Sequence, residues 1–223
     1  SDDLAVELET AGLTRLYEDV ELPLIPVLGD VMLRGVEIDR DQLAKANTIL
    51  TKMADKSAET LRIALGKSDI NLNSGDQLAD ALFSKPPKGL GLPVIKLTDS
   101  HERPSTDREV LEILSQRYPI ANDILEHRHI EKLRTTYAEG ILERTTDGRP
   151  RLFAHFNQAG GFEDRDGGSL AEAPSTGRLS SSGPNLTNIP KHDAPGLSQV
   201  APLIRRAFVA RRGYSLVVGD LSQ

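Results

Sequence analysis

The sequence contains no cysteine and no tryptophan, and only two methionines, five phenylalanines and four tyrosines in 223 residues. Without cysteine there is no disulfide, no thiolate metal centre and no cysteine nucleophile. Five scattered histidines leave little room for a histidine-rich zinc site; His127 and His129 are two apart on an expected helix and point to different faces. No apolar run approaches the roughly 18–20 residues that cross a bilayer, and the opening Ser1-Asp2-Asp3 is not signal-like, so no membrane partner is expected. A broad basic footprint is missing too. The net charge is -6, which taken alone argues against nucleic acid. The acidic excess sits in residues 1–70, with 14 acids against 8 bases, and the remainder is balanced. Within it, Lys191, Arg205, Arg206, Arg211 and Arg212 face a single acid, Asp193, which allows a local basic surface.

What is present suffices for a core. Hydrophobic residues make up 38%, mostly aliphatic, and the length fits one large domain or one and a half. The first two-thirds read as helices. Residues 10–34 carry a helical apolar stripe interrupted by Pro23 and Pro26, which predicts a kinked helix or two short ones ending at Gly35. Val36 to Ile38 is a short extended piece. Asp39 with Gln42 opens a long helix closed by Gly66, Ser74 with Gln77 opens a short one, and Thr106 with Glu109 another. Residues 84–104, rich in proline, are loop, and a last long helix over 120–139 closes at Gly140.

Beyond Gly140 the pattern changes. Residues 151–158 (RLFAHFNQ) alternate as one strand, 159–173 read as a mobile acidic and glycine-rich loop, and 215–220 (SLVVGD) as a buried strand. These elements predict a mostly α-helical domain over 1–145, including a lead-in helix, and the start of an α+β domain over 146–223. A buried strand so near the last residue needs neighbours, so the expectation is a piece of something larger.

The stretch most informative for chemistry is 176–190 (TGRLSSSGPNLTNIP), a set of short polar donors, one guanidinium and turn formers. Such side chains suit phosphates, sugars or base edges; equally, a surface loop uses Asn and Ser to satisfy its own backbone. Asp220, at the end of an interior strand, suits a hard divalent ion, or alternatively the cap of a following helix.

The wording of these residues resembles the family A DNA polymerases, at the junction where TGRLSSS-x-PNLQNIP precedes the first catalytic strand. Thr176 to Ser182 match, as do Pro184, Asn185, Leu186, Asn188, Ile189 and Pro190. Further similarity lies in Ile204 to Val209 (IRRAFV), in 218–223 (VGDLSQ, similar to a DYSQ motif), in 156–158 (FNQ), and upstream in 21–24 (ELPL), 71–74 (NLNS), 91–94 (GLPV) and 132–137 (KLRTTY). The resemblance implies a helical thumb followed by the opening strands of an α+β palm, a fragment of a right-hand polymerase fold. It implies that Asp220, with the backbone carbonyl of Leu221, binds two Mg²⁺ ions in the complete enzyme. It implies DNA contacts from Arg178, Asn185 and Asn188, then from Asn157, Gln158, Thr176 and Ser180. Lys132, Arg134, Thr135 and Tyr137 would face the duplex, and Asn73, Ser74, Ser105 and Thr106 would bind backbone phosphates at helix starts. Arg205 and Arg206 are candidate phosphate or template contacts. The implied partners are primer-template DNA, an incoming dNTP, and the C-terminal polymerase half (fingers and the rest of the palm), in cis or as a separate chain. The implied setting is the cytoplasm of a bacterial cell or phage-infected host, or an organelle. The remaining catalytic carboxylates are not in the sequence, so the chain alone is expected not to polymerise DNA. A non-catalytic DNA-binding or scaffolding module is the alternative.

Three departures from the family pattern stand out. Thr187 replaces a usual Gln, Leu221 replaces a usual Tyr, and residues 159–175 lengthen the link between FNQ and TGR.

Overall fold

The computed structural model describes residues 2–98, 102–158, 177–189 and 200–219. Helix dominates and strands are short. In chain order the elements are α1 (Asp2–Thr10), α2 (Thr14–Leu16), a π-helical turn (Tyr17–Glu21), α3 (Leu22–Arg34), β1 (Val36–Ile38), α4 (Arg40–Leu65), α5 (Gly75–Phe83), α6 (Arg108–Ser115) and α7 (Pro119–Lys132). A second π-helical segment (Leu133–Glu139), α8 (Gly140–Arg144), β2 (Arg151–Leu152), β3 (His155–Asn157), β4 (Ser180–Ser182), α9 (Ala201–Arg206) and β5 (Phe208–Val209) follow. Described residues within 1–41, 140–190 and 205–223 form one compact unit, and those within 42–139 and 191–204 another. This differs from the expected division after residue 145. The lead-in segment groups with the short strands because β1 is the central strand of their sheet.

In the helical unit the capping signals work locally. Ser74 caps α5, its Oγ accepting from the Gln77 N–H at 3.3 Å. The Gln77 side chain reaches back further than a capping box requires, accepting from the Asn71 N–H at 2.8 Å. α6 starts later than expected: Asp107, not Thr106, is the cap, and its carboxylate accepts from the Val110 N–H at 2.8 Å. Leu78, Leu82, Leu111 and Ile124 fill the core between these helices. α4 ends at Gly66 as expected, with φ at +65°, a conformation that side chains with a Cβ disfavour. α7 does not stop at Gly140. It widens into the π segment, which runs on into α8, and Gly140 is buried.

In the other unit, residues 14–34 follow one helical path. The Leu22 N–H bonds the Tyr17 carbonyl, a π-type step that comes just before Pro23, which has no N–H to donate. β1 pairs antiparallel with β2 (Val36 opposite Leu152) and with β5 (Ile38 opposite Phe208). The single strand expected over 151–158 is two strands in two sheets, since β3 pairs with β4 instead (Phe156 opposite Ser181). Arg40 ties this unit together, donating to the Leu142 carbonyl, to Thr145 Oγ1 and to Asp147, each at 2.8 Å. Gly35, at φ +57°, has no room for a side chain: a Cβ would stand 2.6 Å from the Leu152 carbonyl oxygen.

The expected buried strand over 215–220 is not formed among the described residues. Leu216, Val217 and Val218 are 57%, 93% and 94% exposed. The reason is pairing: no described strand lies beside them to take up their backbone groups. Asp220 and Leu221, the loop 159–173 and Thr176 lie outside the described residues. Among the described residues no helix is long and apolar enough to cross a membrane.

Candidate nucleic-acid interface

In the strand-bearing unit, β3 and β4 carry the polar stretch, and its organiser is a residue that sequence reasoning did not single out. Ser181 is fully buried. Its Oγ accepts from the N–H groups of Leu186 at 2.8 Å and Thr187 at 3.1 Å, and donates to Asn185 Oδ1 at 3.4 Å. Asn185 Oδ1 also accepts from Thr187 Oγ1 at 2.8 Å and the Asn188 N–H at 3.2 Å. The carbonyl side of Asn185 is thus engaged within the turn, while Asn188 is exposed. The signal for Ser181 was its place between Ser180 and Ser182, where strand alternation turns the middle residue inward.

Around this turn the other candidates are arranged as follows. Asn157 Nδ2 donates to Ser180 Oγ at 3.3 Å. Gln158 Nε2 donates to the Glu21 carbonyl at 2.8 Å and to the Glu21 carboxylate. Arg178 is exposed and makes no hydrogen bond or ion pair with the described residues. Arg205 donates to the Ile189 carbonyl at 3.4 Å, and both Arg205 and Arg206 are exposed.

The helical unit brings two helix starts together. A Cβ on Gly75, the first residue of α5, would lie 3.7 Å from Thr106 Oγ1, just before α6. Asn73 is exposed, with its N–H donated to Asn71 Oδ1 at 3.0 Å, and Ser74 is half-buried. Ser105 and Thr106 depart from the expectation. Both are 7% exposed and are engaged inside the protein. Ser105 Oγ accepts from the Asp107 N–H at 3.1 Å, and Thr106 accepts from Arg128 at its carbonyl and, at 3.1 Å, at Oγ1. Their hydroxyls shape the loop rather than line its surface. Arg128 was also missed; its one sequence signal is its place four residues before Lys132, on the same helix face. Burial lowers its pKa, opposed by the charge of Asp107.

Farther along, Lys132 and Thr135 are exposed, and Thr135 Oγ1 donates to the Glu131 carbonyl at 2.8 Å. Tyr137, expected to face the duplex, is buried at 3% exposure, and burial raises its pKa. Leu133 and Ala138, close by in sequence, are buried too. Arg134 is held by two carboxylates, Glu131 at 2.8 Å and Glu139 at 2.5 Å. His127 is buried with Nδ1 unpartnered among the described residues, and burial lowers the pKa of both His127 and His129. No group of three His, Asp or Glu side chains able to hold a metal occurs among the described residues.

Residues 40–223 match DNA polymerase family A. The chain belongs to this family. It is 38% identical over 221 residues to DNA polymerase I of Chloroflexus aurantiacus, covering 98% of this chain and 21% of the relative. It is 38% identical over 209 residues to the thermostable DNA polymerase I of Thermus aquaticus, covering 93% of this chain and 22% of that one. Among solved structures it is similar to the POL domain of Pol1 from M. smegmatis, in complex with DNA primer-template and dNTP. The TM-score is 0.74 at 30% identity, over 96% of this chain and 33% of that one. The family A chain therefore spans about a fifth of the length of the curated relatives it matches.

Proposed function

We propose that this chain is the thumb and opening palm of a family A DNA-directed DNA polymerase, and that its own task is to grip the primer-template duplex. The observation that carries this reading is the Ser181-centred turn. One buried hydroxyl holds a rigid polar loop, beside which Arg178 is exposed and unpaired with the described residues. Asn185 and Asn188 belong to this turn, Asn157 and Ser180 face each other across β3 and β4, and Gln158 follows β3; with Thr176, close by in sequence, they make up the rest of the proposed contact. A second contact zone consists of Asn73 and Ser74 at the start of α5, where backbone N–H groups and the helix dipole favour a phosphate. Lys132 and Thr135, exposed on the same unit, are further proposed contacts, and on the strand-bearing unit Arg205 and Arg206 offer charge for the template or its phosphates. The M. smegmatis relative, solved with primer-template and dNTP, supports these partners.

The catalytic part is narrower. In the complete enzyme Asp220, with the Leu221 carbonyl, is the proposed ligand of two Mg²⁺ ions, which stabilise the charge of the transferring phosphoryl group. The described residues contain no group of three carboxylate or imidazole side chains able to hold a metal, so they do not fit a two-ion centre by themselves. The other carboxylates and the fingers come from the C-terminal polymerase half, and this chain alone is inactive.

The test is a titration of fluorescent primer-template with the chain at several salt concentrations. Affinity falls steeply with salt. Arg178→Ala weakens binding by about 1–3 kcal/mol if its contact is to a base edge; an unchanged affinity removes Arg178 from the interface. Addition of the C-terminal half should restore primer extension. Continued inactivity of a folded, associated pair would favour a non-catalytic duplex-binding module instead.

A further inference from the structure

The widened helix between α7 and α8 contains an ion-pair arrangement that a regular helix does not allow. Side chains three and four apart are neighbours on an α-helix, whereas those five apart are about 140° round the axis. Arg134 nevertheless pairs with Glu131, three residues before it, and with Glu139, five residues after it. A π-helical register, bonded i to i+5, brings the later carboxylate within reach. The three side chains are mostly buried, at 24%, 18% and 35% exposure. Glu131 acts twice, since its carbonyl accepts from Thr135 Oγ1 at 2.8 Å. On the inner side, Tyr137 and Ala138, consecutive in sequence, are both buried with Leu133.

We infer that Arg134 is a positioning residue. It braces the wide turn through Glu131 and Glu139 and so fixes where Lys132 and Thr135 meet the duplex, without meeting a phosphate itself. Two features separate it from a phosphate contact. Both terminal nitrogens are engaged by carboxylates, and the three-residue cluster is net negative, so it does not attract a polyanion. Lys132, next to the wide turn, is exposed and has no carboxylate partner among the described residues. The inference rests on the duplex-gripping reading for its consequence, but the brace itself is independent of DNA.

The experiment uses the full chain and three variants, Arg134→Gln, Glu139→Gln and the double variant, with two measurements. In amide hydrogen exchange, Arg134→Gln speeds exchange over residues 133–140 the most, Glu139→Gln does so less because the pair with Glu131 remains, and the double variant exchanges no faster than Arg134→Gln alone. In primer-template titrations across salt, Arg134→Gln weakens binding by about fivefold while the slope of log affinity against log salt stays that of the parent. Arg134→Lys, with one ammonium in place of a fork, recovers only part of the protection. A slope that falls by about 0.9, the signature of one lost phosphate contact, would overturn the inference, because Arg134 would then meet a phosphate itself. Unchanged exchange in both single variants would overturn it whatever the DNA result. A parent chain that binds no duplex, with the exchange result intact, would count against the gripping reading and leave the brace standing.

Discussion

The helices α5 to α7 and the stretch from β5 to residue 219 are stabilised by different means. In the helices, Leu78, Leu82 and Leu111 are completely buried, and each helix satisfies its own backbone. In the later stretch β5 has two residues and among the described residues pairs only with β1, and the apolar Val217 and Val218 stand almost fully in solvent. Helices close their hydrogen bonds locally and need neighbours only for their apolar face. Strands need neighbours for both. The region bearing the helix starts is therefore built from within, and the region leading to Asp220 depends on whatever strand lies beside it.

The largest expected effect draws that line directly. Leu82→Ala or Leu111→Ala should cost about 2–5 kcal/mol in urea unfolding, through lost burial and the cavity left behind. Val217→Ala and Val218→Ala should change stability by less than about 0.5 kcal/mol, since neither side chain is removed from water. A loss above about 1 kcal/mol for Val217→Ala would break the comparison, because it would mean that this segment is packed in solution.

The same contrast decides what could be read in advance. Ser74, Gly66 and the long stripe of α4 were legible because a cap, a left-handed stop and a helical period all act within a few residues. The start of α6 was misplaced by one position because Thr106 and Asp107 are both good caps, and Arg128 holds Thr106 elsewhere. The π segment at 133–139 has no comparable signature, so Gly140 looked like a stop. Residues 151–158 alternate as one strand should, yet divide between two sheets, because pairing with β1 and with β4 is decided far away in sequence. At the interface the polar stretch was visible from its residue types, whereas Ser181 and Arg128, which hold the candidates in place, act through contacts that only the folded chain brings together.

A second prediction sharpens the comparison inside the strand-bearing unit, where single side chains do the work of a core. Ser181→Ala leaves the N–H groups of Leu186 and Thr187 without their acceptor in a buried place, at a cost of about 1–3 kcal/mol. Ser180→Ala loses one 3.3 Å bond from a half-buried position and should cost well under half of that. Equal losses in thermal unfolding would show that the turn is not organised by the buried hydroxyl. The same pair tests function: Ser181→Ala should weaken primer-template binding although its side chain faces inward.

The smallest effect concerns the helical unit and carries a pH signature. Asp107→Ala removes the cap of α6 and should cost about 1 kcal/mol. The Asp107 carboxyl lies below the usual carboxylate range, chiefly because it accepts from the Val110 N–H, and the hydroxyl of Ser105 and the charge of Lys96 act in the same direction. Because the folded value lies below the unfolded one, near 3.9, the folded chain holds this proton less readily. The cap's contribution is then complete above about pH 4 and disappears as the pH falls through the folded value. Asp107→Asn keeps a capping oxygen but cannot titrate, so its midpoint temperature should decline less steeply than the parent's below that pH, while the two run nearly parallel at neutral pH. Acid limbs of equal slope in parent and variant would mean that the Val110 bond does not distinguish the charged carboxylate from the neutral one. The start of α6 would then be held by the packing of Val110, Leu111 and Leu114 alone.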